Sequence, residues 1–483
     1  MFGWLGLRVR FPAMNILALD LGTSSVRGLV LDPAAAPLPG ALARRPVGIQ
    51  LGDDGTATLD GPGYLAALIE CLDELAAGGH LDHIELVSTA AQWHSLVPLD
   101  PGGVPTGPVL TWLDTRPTPP PGLAGPADEE AFHQRTGTWW HRFYWNVRLP
   151  WLRGRMGDGP QRFAGLVEYG FGRLLDEAPM SVSQASGTGL LDIHRVDWDP
   201  EACELAGVRP GELPDLAPKG WEGRLRPEFV RRWPALRDAL WAPPSGDGAA
   251  SNIGSGCFDS QRAAVTVGTS AAVRLVQPAP PGAALPHLPH RLWRYRVDHE
   301  NVVTGCAYSG GGNLFAWARR ELRLPDGPAL DAALALTPPG GGSAADPRLG
   351  GDRPPGLAPA GSGRLDDIGF GTTAVDLLAG LMAALCRQVA GGVAEIESTL
   401  DRPVEVVLGG GAVAASAWWR RSFAVALAPR QVYYMSNPEI GSTGAALLAT
   451  GKLNDASGRY RIVRTDEGES ATATGSTQPQ YPS

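Results

Sequence analysis

Short apolar runs, broken by Gly, Thr and Ser, alternate along this chain with longer stretches whose apolar residues recur at helical spacing. Asn15 to Leu19 is apolar, Asp20-Leu21-Gly22-Thr23-Ser24-Ser25 interrupts it, and Val26 to Leu31 resumes it. That pattern predicts a β-hairpin whose turn carries glycine and hydroxyls. It returns at Ala263 to Val276, with Gly268-Thr269-Ser270 at the turn. Side by side, LDLGTSSVRGLV and VTVGTSAAVRLV read as one element used twice, at the head of each half. Between the copies, Gly63 to Ala77 predicts a helix. Glu85 to Thr89 predicts a strand leading to Gln92-Trp93-His94-Ser95, and Val109 to Leu113 another leading to Asp114-Thr115-Arg116. Residues 117–126 read as a Pro-rich loop, and 128–200 mixes helices with turns. In the second half Gly310-Gly311-Gly312 opens a helix over Asn313 to Leu322, and 338–363 reads as a long Gly- and Pro-rich loop. A helix from Thr373 to Leu400, a strand from Val404 to Leu408, Gly409-Gly410-Gly411 and a helix from Ser416 to Leu427 follow. Helices alternating with strands predict α/β architecture with open sheets.

Charge removes several function classes. The net charge is −9, which leaves no basic surplus to neutralise phosphates, so neither nucleic acid nor an anionic membrane is an expected partner. The longest apolar run, Leu377 to Cys386, stops at Arg387, short of membrane-spanning length. Of 41 basic residues only Lys219 and Lys452 are lysines. Neither lies in G-x-x-x-x-G-K-[ST] or in a kinase strand motif, so a lysine-based nucleotide site is excluded. If the chain handles nucleotide phosphates, backbone amides, hydroxyls and a metal must hold them. The five cysteines are scattered without a C-x-x-C, as in a reduced cytoplasmic protein. Residues 1–13 read as an extension ahead of Met14, and 456–483 as a polar tail, disordered over 465–483.

The candidate chemistry sits at the turns. Gly22 lets the backbone approach an anion, and the N–H groups and hydroxyls of Thr23, Ser24 and Ser25 suit phosphate. Asp20 would repel that phosphate unless a hard cation such as Mg²⁺ lay between them. Alone, such a turn is equally an ordinary hairpin; the second copy at Gly268, Thr269 and Ser270 adds weight, since two such turns can face each other across a cleft. The glycine triplets 310–312 and 409–411 let a flat ligand lie against the chain or an anion meet a helix N-terminus. Asp247, between small residues at a loop-to-helix junction, is a helix cap or a general base. Gln92, Trp93 and His94, with Asp114 and Arg116, form a polar group suited to many hydroxyls. His80 with His83, and His287 with His290 in a Pro-rich segment, read as surface-loop histidines.

The ordered set LDLGTSSVRGLVLD, AAQWHSLVPLD, VLTWLDTRP, SVSQASGTGLLDIHRVDWDPE, SGDGAASNIGSGCFDSQRAAVTVGTSAAVR, GGDRPPGLAP, VVLGGGAVAASAWWRRSFAVAL and GSTGAALLAT resembles the FGGY carbohydrate kinases. The likeness runs from about Asn15 to Thr450. It implies two ribonuclease H-like domains of the actin-like ATPase superfamily, 14–243 on the sugar side and 244–455 on the ATP side, with a cleft between them. It implies ATP and Mg²⁺ as cofactors, with Asp20 near the metal. Gly22, Thr23, Ser24 and Ser25 match one phosphate element, and Gly268, Thr269 and Ser270 the other. Gly312, Gly410 and Gly411 match the ATP pocket. Gln92, Trp93, His94, Asp114 and Asp247 match the sugar site, with Asp247 as catalytic base. SGDGAASNIGSGCFDSQRAAVTVGTSAAVR with YRVDHENVVTGCAYSGGGNLFAWARREL is most similar to the gluconate-kinase branch. Trp93 stands where many relatives have Met, and Asp352 where Glu is common; both bear on the acceptor rather than the phosphate chemistry. The expected partner is a small sugar or sugar acid, with a homo-oligomer compatible. The alternatives are a xylulose, ribulose or other polyol kinase, and a non-catalytic ATP-binding regulator on the same scaffold, against which the intact Asp247 and the polar set at 92–94 and 114 argue.

Overall fold

The computed structural model describes residues 15–119, 129–156, 161–209, 211–355, 360–435, 437–453 and 461–462. The expected extension 1–13, most of the polar tail and part of the 117–126 loop lie outside them. Two sheets organise the rest. In the first, Pro37–Pro46, Ser25–Leu31 and Asn15–Leu21 run antiparallel in that spatial order, and Ile84–Ala91 and then Leu240–Trp241 continue in parallel. In the second, Asn301–Tyr308, Ala271–Pro278 and Arg262–Val267 are antiparallel, and Glu405–Gly409 and Val432–Tyr434 continue in parallel. The order 3-2-1-4-5 and the directions are the same in both, so the duplicated hairpin heads a duplicated sheet. Arg461–Ile462, inside the expected tail, adds an edge strand to the second sheet.

The register explains the alternation of the first hairpin. Leu17, Leu19 and Leu21 face one core with Val26 and Val30, while Ile16, Ala18, Leu29 and Leu31 face another. Both faces of the sheet are covered, which is why these strands read as nearly continuous apolar runs. The helix Gly61–Ala77 starts on the Asp60 cap, whose carboxylate accepts from the Gly63 N–H at 3.1 Å, and lays Leu68, Leu72 and Leu75 on one face of the sheet. Ala374–Glu397 begins in a Thr373/Asp376 capping box and buries Leu378, Met382, Leu385 and Val389 under the second sheet. By length and composition this helix would pass as a membrane span, contrary to the reading of its shorter run; its apolar face is the core of the second sheet.

The chain does not change sides at 243/244. Ser245–Gly246 still pairs with Ile84–Ala91 of the first sheet, and the second sheet begins at Arg262. Between them, the helix Asp247–Gly254 packs against Ile440–Thr450, which returns from the far end of the chain to lie on the first sheet. Gly254 and Gly444 make that crossing. A Cβ on either would fall 1.8 Å from a backbone carbonyl oxygen of the other helix, Ile440 or Ala250.

Candidate active site

Between the two sheets lies a cavity of about 170 Å³ lined by Gln92, Trp93, His94 and Asp247, and by Ser270 to Ala272 of the second hairpin. Sequence reasoning placed the first four there. Trp93 donates its indole N–H to the Ser183 carbonyl at 2.9 Å and lies on a floor of glycines. A Cβ on Gly246 would stand 1.8 Å from the ring, and one on Gly187 or Gly248 at 2.7 or 2.6 Å. The indole is therefore accommodated by missing side chains across from it, two of them flanking Asp247.

His94 adopts φ 68°, a conformation uncommon outside glycine. Its carbonyl accepts from Arg148 at 2.6 Å, and its Nδ1 donates to the Gly187 carbonyl at 2.6 Å. Burial pulls its pKa down to about 3, so the ring is neutral, with Nδ1 protonated and Nε2 left as an acceptor. Arg148 is itself buried and donates to carbonyls at three places, 142, 94 and 111, pinning the strand ends that carry the site. A planar fork suits three carbonyls better than an ammonium would.

Asp247 is the first residue of its helix and its Oδ1 accepts from the Gly248 N–H at 2.7 Å. Gly246 takes the cap position, so the carboxylate does not serve as the helix cap. It is reached by water through the cleft, yet the cleft walls surround it. Desolvation raises its pKa to about 6, against the lowering effect of Arg274, and the charge of Asp20 raises it further.

Asp20 is the last residue but one of the first strand, beside the Gly22 turn. One carboxylate oxygen pairs with Arg27, which also reaches Glu439 at 3.3 Å, and Oδ1 lies 3.9 Å from where a Gly22 Cβ would stand. Desolvation raises its pKa, partly offset by Arg27. The turn closes through Gly22 N–H to Ser25 carbonyl, 3.1 Å. Thr23 departs from expectation. Its hydroxyl donates to Gln92 Oε1 at 3.1 Å and accepts from Trp112 Nε1 at 3.0 Å, so it ties the turn to the polar group rather than pointing a free donor at phosphate. Ser24 is exposed and Ser25 buried.

The second turn is braced by the glycine triplets. Gly312 donates to the Gly268 carbonyl at 2.7 Å and Asn313 to that of Thr269 at 3.2 Å. Gly410, at φ 98°, sits against Val267, and a Cβ on Gly312 would meet Ala412 at 3.4 Å. Gly268, Thr269, Ser270, Gly312, Gly410 and Gly411 thus converge, and two helices begin side by side at Gly312 and Gly411. The first N–H groups of the Gly312 helix are spent on the second turn, so this helix start braces that turn.

One expected sugar contact is corrected. Asp114 does not wall the cavity: its carboxylate is buried and held by Arg116 through 3.0 and 2.6 Å bonds, with the Ala57 N–H at 3.3 Å. A carboxylate so engaged fixes the loop and leaves nothing for a substrate hydroxyl. Sequence reasoning also missed most of the wall: Trp112, Trp139, Phe143, Tyr144, Trp293 and Tyr295. Tyr144 and Tyr295, from the two halves, share a 2.8 Å hydrogen bond. Two cations were missed as well. Arg274 is packed near Asp247, and Arg353 lies 4.7 Å from the Trp112 ring centroid. Among the described residues neither forms an ion pair with a carboxylate at bonding distance. Both stand in peptides that the sequence singles out, AAVR and GGDRPP, but for other residues. The two lysines are far from this chemistry, Lys219 paired with Glu300 at 2.7 Å and Lys452 on the Pro33 carbonyl at 3.1 Å.

Models of the FGGY family of carbohydrate kinases match twice, the N-terminal domain at residues 15–238 and the C-terminal domain at 263–452. A gluconokinase of Bacillus subtilis (strain 168) is 24% identical over 464 residues, 91% of this chain and 88% of that one. A xylulose kinase of Klebsiella pneumoniae is 25% identical over 463 residues, 93% and 92% of the two chains. Among solved structures, gluconate kinase from Lactobacillus acidophilus superposes with a TM-score of 0.82 at 20% identity, covering 94% and 93%.

Proposed function

Because this chain belongs to the FGGY family of carbohydrate kinases, we propose that it transfers phosphate from Mg-ATP to a hydroxyl of a sugar acid, with gluconate the best candidate. The observation that carries the sugar-acid reading is Arg353. It is a partly buried guanidinium in the wall of the Asp247 cavity, stacked on Trp112 and without a carboxylate partner among the described residues. Burial lowers its pKa, so the charge is held at a cost that an anionic substrate would offset. Neutral ketoses and glycerol can only accept hydrogen bonds from such a cation, whereas a carboxylate also neutralises it in a charge-assisted pair. Arg274 differs, because Asp247 already supplies it with counter-charge.

The polar and aromatic walls orient the acceptor. Neutral His94 accepts a hydroxyl proton at Nε2, Gln92 offers an amide, and the rings cover the apolar faces of the carbon chain. Asp247 takes the proton of the reacting hydroxyl while that oxygen bonds to the γ-phosphorus and the bond to the ADP oxygen breaks. The donor's phosphates lie between the turns at 22–25 and 268–270, and the nucleoside against Gly312, Gly410 and Gly411. The donors beside the first turn are hard oxygens, with Asp20 Oδ1 turned to it, a set that suits Mg²⁺. When bound there, Mg²⁺ neutralises phosphate charge.

A coupled assay with Mg-ATP and a panel of sugar acids, pentuloses and glycerol tests the reading. Gluconate-type acids are expected to give the highest kcat/KM. Arg353→Gln should raise KM for the acid on the order of 10- to 100-fold, the scale of a hydrogen bond to a charged group, and leave neutral acceptors unaffected. Preference for a neutral pentulose, or equal losses for both classes, removes the sugar-acid reading and leaves the kinase.

A further inference from the structure

Glu130 and His133 stand one turn apart on the helix Glu129–Thr136, and His287 and His290 lie three residues apart in the segment read from sequence as a surface loop. The fold brings the two pairs together. Gln134 accepts from the Leu288 N–H at 2.9 Å and donates to its carbonyl at 2.8 Å, clasping the segment onto the helix. One ligating atom from each of Glu130, His133 and His290 then lies within 4.8 Å of the others.

The protonation pattern fits a metal rather than a hydrogen-bonded cluster. His133 is 1% exposed; its Nε2 donates to the Leu292 carbonyl at 2.8 Å, and its Nδ1 is buried with no partner. An imidazole with one nitrogen fixed by a backbone carbonyl and the other left bare is the arrangement of a histidine able to bind a metal. Oε1 of Glu130 accepts from Gln134 at 2.7 Å and His287 at 2.8 Å, which leaves Oε2. Glu130 and His290 are exposed and give the ion a path in. Arg294, whose buried charge acts on His133, donates from Nε to Thr304 and from Nη1 to the Pro286 carbonyl and keeps Nη2 without a partner among the described residues.

We propose that Glu130, His133 and His290 form a site for a zinc-type divalent cation, distinct from the nucleotide metal, with His287 holding the carboxylate from outside. Two imidazoles and a carboxylate favour zinc over magnesium, and three protein ligands leave a fourth position for water. The site is a clasp between the two halves. His133 stacks on Trp139 of the cavity wall at 5.5 Å, and the His290 carbonyl accepts from the same indole at 2.8 Å, so the ion braces one side of the acceptor pocket.

The test is a Co²⁺ titration of the chelator-stripped full chain, without nucleotide or magnesium, followed by visible absorption. One equivalent with a d–d band of low-symmetry coordination, displaced by Zn²⁺, is expected. The exposed His290→Ala should fold, as circular dichroism will show, and lose the band. His287→Ala should bind about 10- to 100-fold more weakly, the usual effect of losing an outer partner. Zn²⁺ should raise the melting temperature of the parent and not of His290→Ala. A parent that takes up no cobalt, or His290→Ala binding it as the parent does, overturns the site.

Discussion

Asp247 joins two demands, exposure to the cleft and a raised pKa, and both bear on transfer. Asp247→Ala should fold and bind ATP but lose turnover by on the order of 10²-fold or more, the usual scale for a general base. Because the base must be ionised and its pKa stands near 6, kcat/KM should be full above that pH and fall as pH drops through it. A profile flat to pH 4.5 would remove Asp247 from the role. The linkage has the opposite sign for stability. A carboxyl harder to ionise in the folded state than in the unfolded chain destabilises the fold once pH passes its ordinary value of 3.8. Asp247→Asn should therefore melt higher than the parent at pH 7, and the difference should vanish near pH 3; a melting point unchanged at pH 7 would show that cleft water has cancelled the penalty. Asp20→Asn should weaken Mg²⁺-dependent nucleotide binding, measured by titration with and without Mg²⁺; unchanged dependence counts against the metal assignment. At this scale the sequence was legible where a residue's place follows from its own stretch of backbone, as Asp20, Asp247 and His94 stand beside a turn, at a helix start and after a strand. It was misleading where a neighbour consumes the side chain, as Arg116 does at Asp114 and Gln92 at Thr23.

Helices Asp247–Gly254 and Ile440–Thr450 cross at two glycines, and that crossing seats the Asp247 helix on the first sheet. Gly444→Ala places a methyl against the Ala250 carbonyl and the Gly254 N–H, neither of which can step aside as a flexible side chain would. It should cost about 1–3 kcal/mol in urea unfolding, the range for overpacking. A variant as stable as the parent would mean that the helices separate readily. The hairpins, the long helix and the strand before Gly409 were legible because period and turn residues are local signals. The pairing of 247–254 with 440–450 was not. Both are short, small-residue helices without a strong stripe, and their partner lies almost two hundred residues away.

Two duplicated sheets joined through that helix pair leave a cleft whose far walls come from different halves, as the Tyr144–Tyr295 hydrogen bond shows. Closure should bring the 22–25 and 268–270 turns together around the phosphates and shut water out of the Asp247 cavity. Small-angle scattering with a non-hydrolysable ATP analogue and a sugar acid should show a smaller radius of gyration than the free protein. Unchanged scattering with tight binding of both ligands would mean that the cleft is already closed.

The sequence by itself determined the α/β class, the repeated Gly-Thr-Ser hairpin, the exclusion of a lysine-held phosphate and the family resemblance, because each rests on contiguous residues. Only the tertiary structure decided which polar groups remain free. Among the described residues Arg353 meets no carboxylate while Arg116 is spent, Trp93 fits because three distant glycines withdraw, and two ordinary-looking histidines in a proline-rich segment close on a glutamate and a buried histidine. Burial and partnership depend on contacts between residues far apart in the chain, and no local pattern encodes them.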